Sequence, residues 1–552
     1  MSLMANLYVG TSGLQTSQNA LNTTSHNMAN LDTEGYTRQQ ISQGTKAYQT
    51  LEKRNNCIAW KQIGTGVEYN NCKQVRDFFL DKAYRKEAGR FEYYDVSKKA
   101  LEEIEDQLQE MNGTEFSESL NNLWTSVQEL AKDPTSAVTQ SALVTRANEF
   151  LTKAKSVYDG FVSYQDNLDA SVSDIVNNIN DIGDKIRALN EEIVDIESGR
   201  VEKANDLRDT RNTLLDKLGQ YGKIDYSEDI FGNVTVLFEG SSFITTDHVN
   251  HMGIDVKLES SVGYATPYWE YAAVKEYDRE GKEVVTSIEG AHIFDLTQPV
   301  STATDTDIGK LKAVLLARGD HHASYHDIVE STDYYKSNIS QSVIMNVEAE
   351  FDQLIHNVMT AINKVMEDAE SNPATMDNSL GRASDYTMFI VSNEDDTLAY
   401  KIDDKHPAGS IKTGFTIENA QVNPILLTDP TTFTYRTVEG NEDTATVKAL
   451  KEAFIKSDYT LNPNVYTRND LLSYYNSLIS QIANTGDKLK SVADAQEQTV
   501  SSISSAREQI IGVSSDEELE YMIQFQNAYN ASSRYINVVS EMLEHLVSTL
   551  GA

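Results

Sequence analysis

The strongest pattern of apolar and polar positions lies at the C-terminal end. Met522, Phe525, Tyr529, Ser532, Ile536, Val539, Leu543, Leu546 and Leu550 follow one another in alternating steps of three and four. This a/d stripe predicts a helix from about residue 516 to the end, and it calls for a partner helix. Ser514, Ser515 and Asp516 are suitable capping residues, and Glu517 and Glu518 place negative charge in the first turn. At the other end Leu7, Leu14, Leu21 and Met28 recur every seven residues, beside a second row of Leu3, Gly10, Ser17, Thr24 and Leu31. Small residues in that row permit close approach of another helix. An almost uncharged helix of this kind is marginal alone in water, so the ends are expected to order against each other and against neighbours. Either stripe alone would suit a helix docked on its own domain. Together, at opposite ends, they predict a paired shaft, which Tyr475, Leu478, Ile482, Leu489 and Val492 extend inward.

The interior alternates between two periods. Ile104, Leu108 and Met111, then Phe116, Leu120, Leu123, Trp124, Val127 and Leu130, read as helix up to the break at Asp133–Pro134. Ile175, Ile179, Ile182, Ile186, Leu189, Ile193 and Ile196 predict a long helix ending near Gly199. Another helix is expected over 201–219, with Leu207, Leu214, Leu215 and Leu218 inward. Near residue 220 the period becomes two: Val234, Val236 and Phe238 alternate with polar neighbours before a turn at Glu239–Gly240. Strands are expected through 268–296, with turns at Asp278–Gly281 and Glu289–Gly290, and at Thr387–Val391 and Phe433–Thr437. Helix is expected over 309–370 and again from 467. The expected fold is therefore mainly α with β inserts. A terminal coiled coil (1–45 with 512–552) continues into a helical trunk (46–222, 306–372 and 465–511), which carries β-rich domains at 223–305 and 373–464.

Composition narrows the classes. A chain of 552 residues exceeds one ordinary core, and only 8 prolines leave room for long helices. The net charge of −37 argues against nucleic acid as a partner. It also keeps free subunits apart until specific contacts form. No run of about 18 apolar residues predicts a membrane span, so no membrane insertion is expected. The N-terminus lacks the basic start and apolar core of a cleaved secretory signal. Cys57 and Cys72 sit in one segment without a CxxC or nearby metal-spaced histidines; two small, partly buried side chains or a local disulfide both fit.

With these patterns in hand, the chain resembles the flagellar axial family of rod, hook and hook-associated proteins. Ser12–Gly13–Leu14 through Asn27–Met28–Ala29–Asn30 is similar to the family's opening helix, and Gly35–Tyr36–Thr37–Arg38–Gln39 to its loop motif. Gly64–Thr65–Gly66–Val67, Val75 through Leu80, and Tyr84–Arg85 fit the next segment. Asn205 through Asp209 with Leu214 and Leu218, then Gly309–Lys310–Leu311 with Leu315, Leu316 and Arg318, resemble helices flanking the first β region. Gly512–Val513–Ser514, Asp516–Glu517–Glu518, Gln524–Phe525–Gln526 and Ala528–Tyr529 resemble the closing segment. The matches cover most of the helical trunk; the β regions 225–305 and 375–460 match nothing.

The resemblance implies a structural, non-enzymatic role at the joint between hook and filament. Subunits would assemble through their terminal helices into a ring or tube around an export channel. Implied partners are further copies of the chain, hook protein on one side, and a second junction protein and the flagellin filament on the other. An export chaperone would act before secretion. Location would be extracellular, in the flagellum, after export without a cleaved signal. Hook protein and flagellin are the nearest alternatives. The long helical block at 92–220 and the loop motif disfavour hook, and flagellin lacks the loop motif. The residues expected at subunit interfaces are Leu7, Leu14, Leu21, Met28, Gly35, Tyr36, Arg38, Phe525, Tyr529, Ile536, Val539, Leu543 and Leu546. In the loop, Gly35 permits positive φ, Tyr36 can bury its ring, and Arg38 offers a planar fork to a neighbouring subunit's carboxylate or carbonyls. A local helix-capping turn with a solvent-facing Arg38 is the other reading.

No GxxxxGK[ST], HExxH or GxSxG occurs, and Gly64–Gly66 is a lone GxG. Asp320, His321, His322, His326 and Asp327 form one cluster in which His322 and His326 would share a helical face. A metal-dependent hydrolase on an axial scaffold would need further convergent acids, so incidental surface histidines are the expectation. Asp305 and Asp307 lack the other ligands of a calcium loop. A secreted adhesin or pore former would need more apolar inserts. No cofactor, metal or catalytic residue is expected.

Overall fold

The structure is a computed structural model. It describes residues 3–53, 60–108, 116–199, 202–258, 263–277, 279, 282–371, 387–392, 398–399 and 415–550. Cys57, Met111, most of the turn expected at Asp278–Gly281, and the side chains of Leu3 and Leu550 lie outside the described residues, as do 373–386 and 400–414 of the second expected insert.

Helix α1 (Leu3–Ala29) leads into strands β1 (Gln39–Thr45), β2 (Gln49–Lys53), β3 (Trp60–Ile63) and β4 (Val67–Gln74). These pair antiparallel as β1 with β4 and β2 with β3, with Gln39 opposite Gln74. Then come α2 (Phe78–Leu108), α3 (Phe116–Leu130), the 61-residue α4 (Ala137–Glu197) and α5 (Asn205–Tyr221). Strands β5 (Ile224–Glu228), β6 (Val234–Phe238) and β7 (Ser241–Ile244) form one antiparallel sheet. Two hairpins follow: β8 (Met252–Asp255) with β9 (Thr266–Trp269), and β10 (Val274–Tyr277) with β11 (Glu283–Ser287). Beyond them lie α6 (Lys310–Arg318), short α7 (Tyr325–Val329) and α8 (Thr332–Tyr334), a π turn at Tyr335–Ile339, and α9 (Val343–Ser371). Strands β12 (Phe389–Ser392), β13 (Leu398–Ala399) and β14 (Ala420–Val422) form a small sheet, followed by α10 (Pro424–Thr428) and α11 (Thr444–Ile455). The chain closes with α12 (Leu471–Ile511) and α13 (Ser515–Leu550). The fold is mainly α with small β inserts.

The chain divides into two compact units. The first comprises Met1–Gly89, Asn178–His251 and Glu497–Ala552; the second comprises Arg90–Asn177 and Met252–Gln496. The second holds the larger apolar core, where Phe116 stacks within 4.9–5.5 Å of Phe351, Tyr475 and Phe150.

Several sequence readings change here, beginning with β2–β4, which lie where helical trunk was expected. The isoleucine stripe of α4 is buried through Ile193, but Ile196 faces solvent and Glu197 turns inward. Glu197 takes that place because Arg208 Nε (2.7 Å), Lys203 Nζ (2.5 Å) and the Ala204 N–H (3.1 Å) satisfy it. Burial alone would raise its pKa; these donors hold it down at about 2. Phe433–Thr437 is not a strand. Phe433 and Tyr435 are buried in a loop, their tilted rings 4.5 Å apart, with Tyr435 at φ +47°. Their alternation reports core burial without a ladder. The described part of 415–464 is mostly loop and helix, with strand only at β14.

Candidate assembly site

In the first unit α1 lies antiparallel against α13: Gly10 meets Tyr535 and Ile536, and Gly13 meets Ser532. The approach needs glycine, since a Cβ on Gly10 would sit 2.7 Å from Ile536 Cγ1. Of the second row, Gly10, Ser17 and Thr24 are buried, together with Ala20 and Asn27 beside them, while Leu31 is exposed. Leu7, Leu14, Leu21 and Met28 are only half-buried. On α13, Val539 is buried; Phe525, Tyr529, Ile536 and Leu543 are half-buried, and Leu546 is exposed.

α13 also carries a second apolar set that the single-stripe reading missed. Leu519, Ile523, Val538, Met542 and Val547 are 45–67% exposed. Their steps of four (519 to 523, 538 to 542) were the available signal.

The loop after α1 is built by named contacts. Gly35 adopts φ +77°, and a Cβ there would strike Thr213 Oγ1. Tyr36 donates its hydroxyl to Asn27 Oδ1 (2.8 Å), and its ring meets His26 edge-on. Asn27 also donates to the Gln39 carbonyl (2.9 Å) and accepts the Gln39 N–H (3.0 Å), so it ties the helix end to β1. Arg38 donates Nε to Glu518 Oε1 (3.0 Å) and pairs Nη1 with Glu517 Oε2 (3.0 Å). Its guanidinium lies 5.6 Å from the Tyr521 ring centroid, and its N–H bonds the Ile511 carbonyl (2.8 Å). In this chain the carboxylates that meet Arg38 are its own. The reversal at 512–514 brings the acidic first turn of α13 onto the loop.

Behind the loop lies a charge network invisible to periodicity. Arg76 clasps Asp81 through Nε (2.9 Å) and Nη2 (3.1 Å) and reaches Asp209 (3.5 Å). Arg507 of α12 pairs with Asp81 (2.8 Å) and Asp216 (2.7 Å), and Arg85 with Asp216 (2.6 Å). Asp209 also accepts the Thr37 N–H (3.1 Å). Three arginines thus face three aspartates, all with side chains at most 16% exposed. Burial pulls Asp81 upward, but the Arg76 bond and the charges of Arg76, Arg507 and Arg85 leave it below its usual value. Asp209 ends at about 6, because burial outweighs Thr37 and Arg76. Three of the sequence segments quoted above, from the loop, 75–80 and α5, converge here with Arg507 of α12. Cys72 has a free, half-buried thiol that donates to Gln39 Oε1 (3.4 Å).

The histidine cluster is arranged differently from the helical face expected. His322 precedes α7, so it does not share a helical face with His326. His321 bridges Asp320 (2.6 Å) and Asp327 (3.3 Å), and His322 pairs with Glu418 (3.6 Å). Among the described residues no group of three or more His, Cys, Asp or Glu is placed to hold a metal. Asp307 is fully buried and accepts Arg90 Nε, Tyr94 Oη and Thr302 Oγ1; Asp305 meets Arg90 Nη2 (2.8 Å). No described helix is long and apolar enough to cross a membrane.

Both ends of the chain thus enter one helical pair, clamped at its base by the loop motif, an arrangement suited to a structural axial component. Comparison with known proteins bears on the same regions. Residues 101–370 match the flagellar hook-associated protein FlgK helical domain, 7–37 the flagella basal body rod protein family, and 509–549 the C-terminal family of the basal body rod FlgEFG proteins. Flagellar hook-associated protein 1 of Bacillus subtilis is 26% identical, over 98% of this chain and 96% of its own. Its Escherichia coli namesake is 22% identical, over 97% and 98%. The structure of the flagellar hook junction protein FlgK from Burkholderia pseudomallei superposes with a TM-score of 0.51 at 11% identity, covering 79% of this chain and all of that one. The chain belongs to the FlgK family of flagellar hook-associated proteins, structural components of the bacterial flagellum.

Proposed function

We propose that this protein joins the hook to the filament, assembling through its terminal helices into a ring around the export channel. The observation that carries this reading is the set of apolar side chains that α13 leaves exposed. Leu519, Ile523, Val538, Met542 and Val547 stay open to solvent although the helix already packs on α1. Apolar surface of this kind favours a protein neighbour. Leu7, Leu14, Leu21 and Met28 would join it from α1, with Phe525, Tyr529, Ile536, Val539, Leu543 and Leu546 forming the seam they flank. Gly35, Tyr36 and Arg38 would act from the base, by setting the direction in which α13 leaves the loop. Hook protein on one side, and a second junction protein and the filament on the other, are the partners of this reading. A chaperone before export and passage without a cleaved signal belong to it too. The test is an image of flagella from a strain lacking the gene. Bare hooks with flagellin shed into the medium are expected; intact filaments would refute the role.

A further inference from the structure

Helix α9 of the second unit buries Glu348, Glu350 and Asp352, each no more than 1% exposed. Glu348 and Asp352, four apart, share a helix face, and Glu350 points the other way. Glu350 is met by neutral amides, Asn462 Nδ2 at 2.6 Å and Gln481 Nε2 at 2.8 and 2.9 Å. Glu348 and Asp352 instead fasten two segments by their backbone. Glu348 Oε2 accepts the Ala323 N–H (3.1 Å) and Gln165 Nε2 (3.2 Å). Asp352 accepts the N–H groups of Tyr325 (2.9 Å) and Ile417 (2.7 Å).

The two oxygens of Glu348 are unlike. Oε2 has two donors, whereas Oε1 is buried with no hydrogen-bond partner among the described residues. An ionised carboxylate shares its charge over both oxygens, so a bare, dry oxygen suits the neutral acid far better. The groups around it supply little positive charge. From α4 come Gln165 and the Tyr158 hydroxyl, and before β9 comes Tyr264, which donates to Gln165 (3.3 Å). Arg318 at the end of α6 is committed to Asp169. His321 is held by Asp320 and Asp327, and His322 by Glu418, which also accepts the Tyr158 hydroxyl (3.3 Å). Burial pushes Glu348 well above the usual carboxyl range and Glu418 adds to it, against the Ala323 N–H, His321 and Gln165. Burial likewise raises Asp352, to about 7.

We propose that the folded unit carries Glu348 protonated, and that loss of this proton unfastens residues 320–327 and 415–418 from α9, a proton-operated latch. The sign follows from linkage. A carboxyl raised in the folded state contributes fully below its unfolded value, and that contribution is lost as pH rises through the folded value. Asp352 acts in the same direction.

Residue-resolved hydrogen exchange on the full chain, corrected for intrinsic rates, tests this. From about pH 6 to about pH 9, protection at Ala323 should fall roughly tenfold or more, while amides in the middle of α3 hold. Glu348→Gln places its amide oxygen at the Oε2 position and stays neutral, so Ala323 should remain protected at the high end. Tyr325 and Ile417 should keep a smaller loss through Asp352. Unchanged protection at Ala323 in the parent, or the same slope in Glu348→Gln, overturns the latch. Should that variant fail to fold, infrared spectra of chain with labelled glutamate in a Glu350→Gln background decide instead. A protonated-acid band fading in step with Ala323 protection supports the latch, and its absence near neutral pH overturns it.

Discussion

The two units bury charge in opposite ways. Around the loop motif, Arg76, Arg85 and Arg507 stand against Asp81, Asp209 and Asp216, so each buried carboxylate has an arginine partner. On α9, three acids are buried more deeply with only neutral donors and a histidine nearby, and burial drives them toward the neutral form. Residue type alone therefore says little about charge state. Asp81 and Asp352 are both buried aspartates, yet one lies below its usual value and the other is pushed up to about 7. Two arginines in contact make the difference. Contact with two arginines holds Asp81 below its usual value and locks distant segments together, and acids without such partners make packing depend on pH.

The sharpest way to break this contrast is Arg507→Ala. It removes the second arginine from both Asp81 and Asp216, which keep Arg76 and Arg85, and chemical denaturation should show a loss of about 2–3 kcal/mol. A loss below about 1 kcal/mol would mean that water screens the network. Gly10→Leu comes next. It forces a side chain into Ile536, and overpacking of this kind costs about 1–3 kcal/mol, read as weaker protection of α1 and α13 in hydrogen exchange. Arg38→Ala removes a charge-assisted bond from the nearly buried Glu518 and should cost about 1–2 kcal/mol. Filament attachment in a motility assay should weaken with it.

Asp209 separates the two behaviours within one network. Its folded value near 6 lies above the ordinary aspartate value, so its stabilisation is present in acid and lost as pH rises through about 6. Asp81, depressed, does the reverse: its contribution is present above the ordinary value and lost as pH falls through the folded one. Unfolding profiles should therefore flatten across pH 4–7 (roughly the Asp209 window) in Asp209→Asn, and steep dependence surviving there would place the proton elsewhere. The smallest expected stability effect is Val538→Asp, within about 0.5 kcal/mol for an exposed site. It should nonetheless abolish assembly, as measured by sedimentation; undiminished assembly would remove the outward face of α13 from the interface.

Much of the architecture was legible along the chain. The nine-position stripe, the seven-residue rows of α1 and the change of period at residue 220 all report side chains that share a face within one element. That is a local property, fixed by 3.6 or 2 residues per repeat. The same rule failed where burial and ladder part company, as at Phe433 and Tyr435, and where an ion pair displaced an apolar residue, as Glu197 did to Ile196. The sequence alone thus determined the long helices at both ends and over 116–221 and the motifs that mark the loop, but not α11 inside an expected β insert or the strands β2–β4 inside an expected helical trunk. Only the tertiary structure decided that the small row of α1 lies inside, that Arg38 finds its acids in its own chain, and that Arg76, Asp209 and Arg507 form one network. These contacts join residues up to 480 positions apart. An ion pair at that separation leaves no periodic trace, because each member is chosen by a neighbour that the folded chain alone supplies.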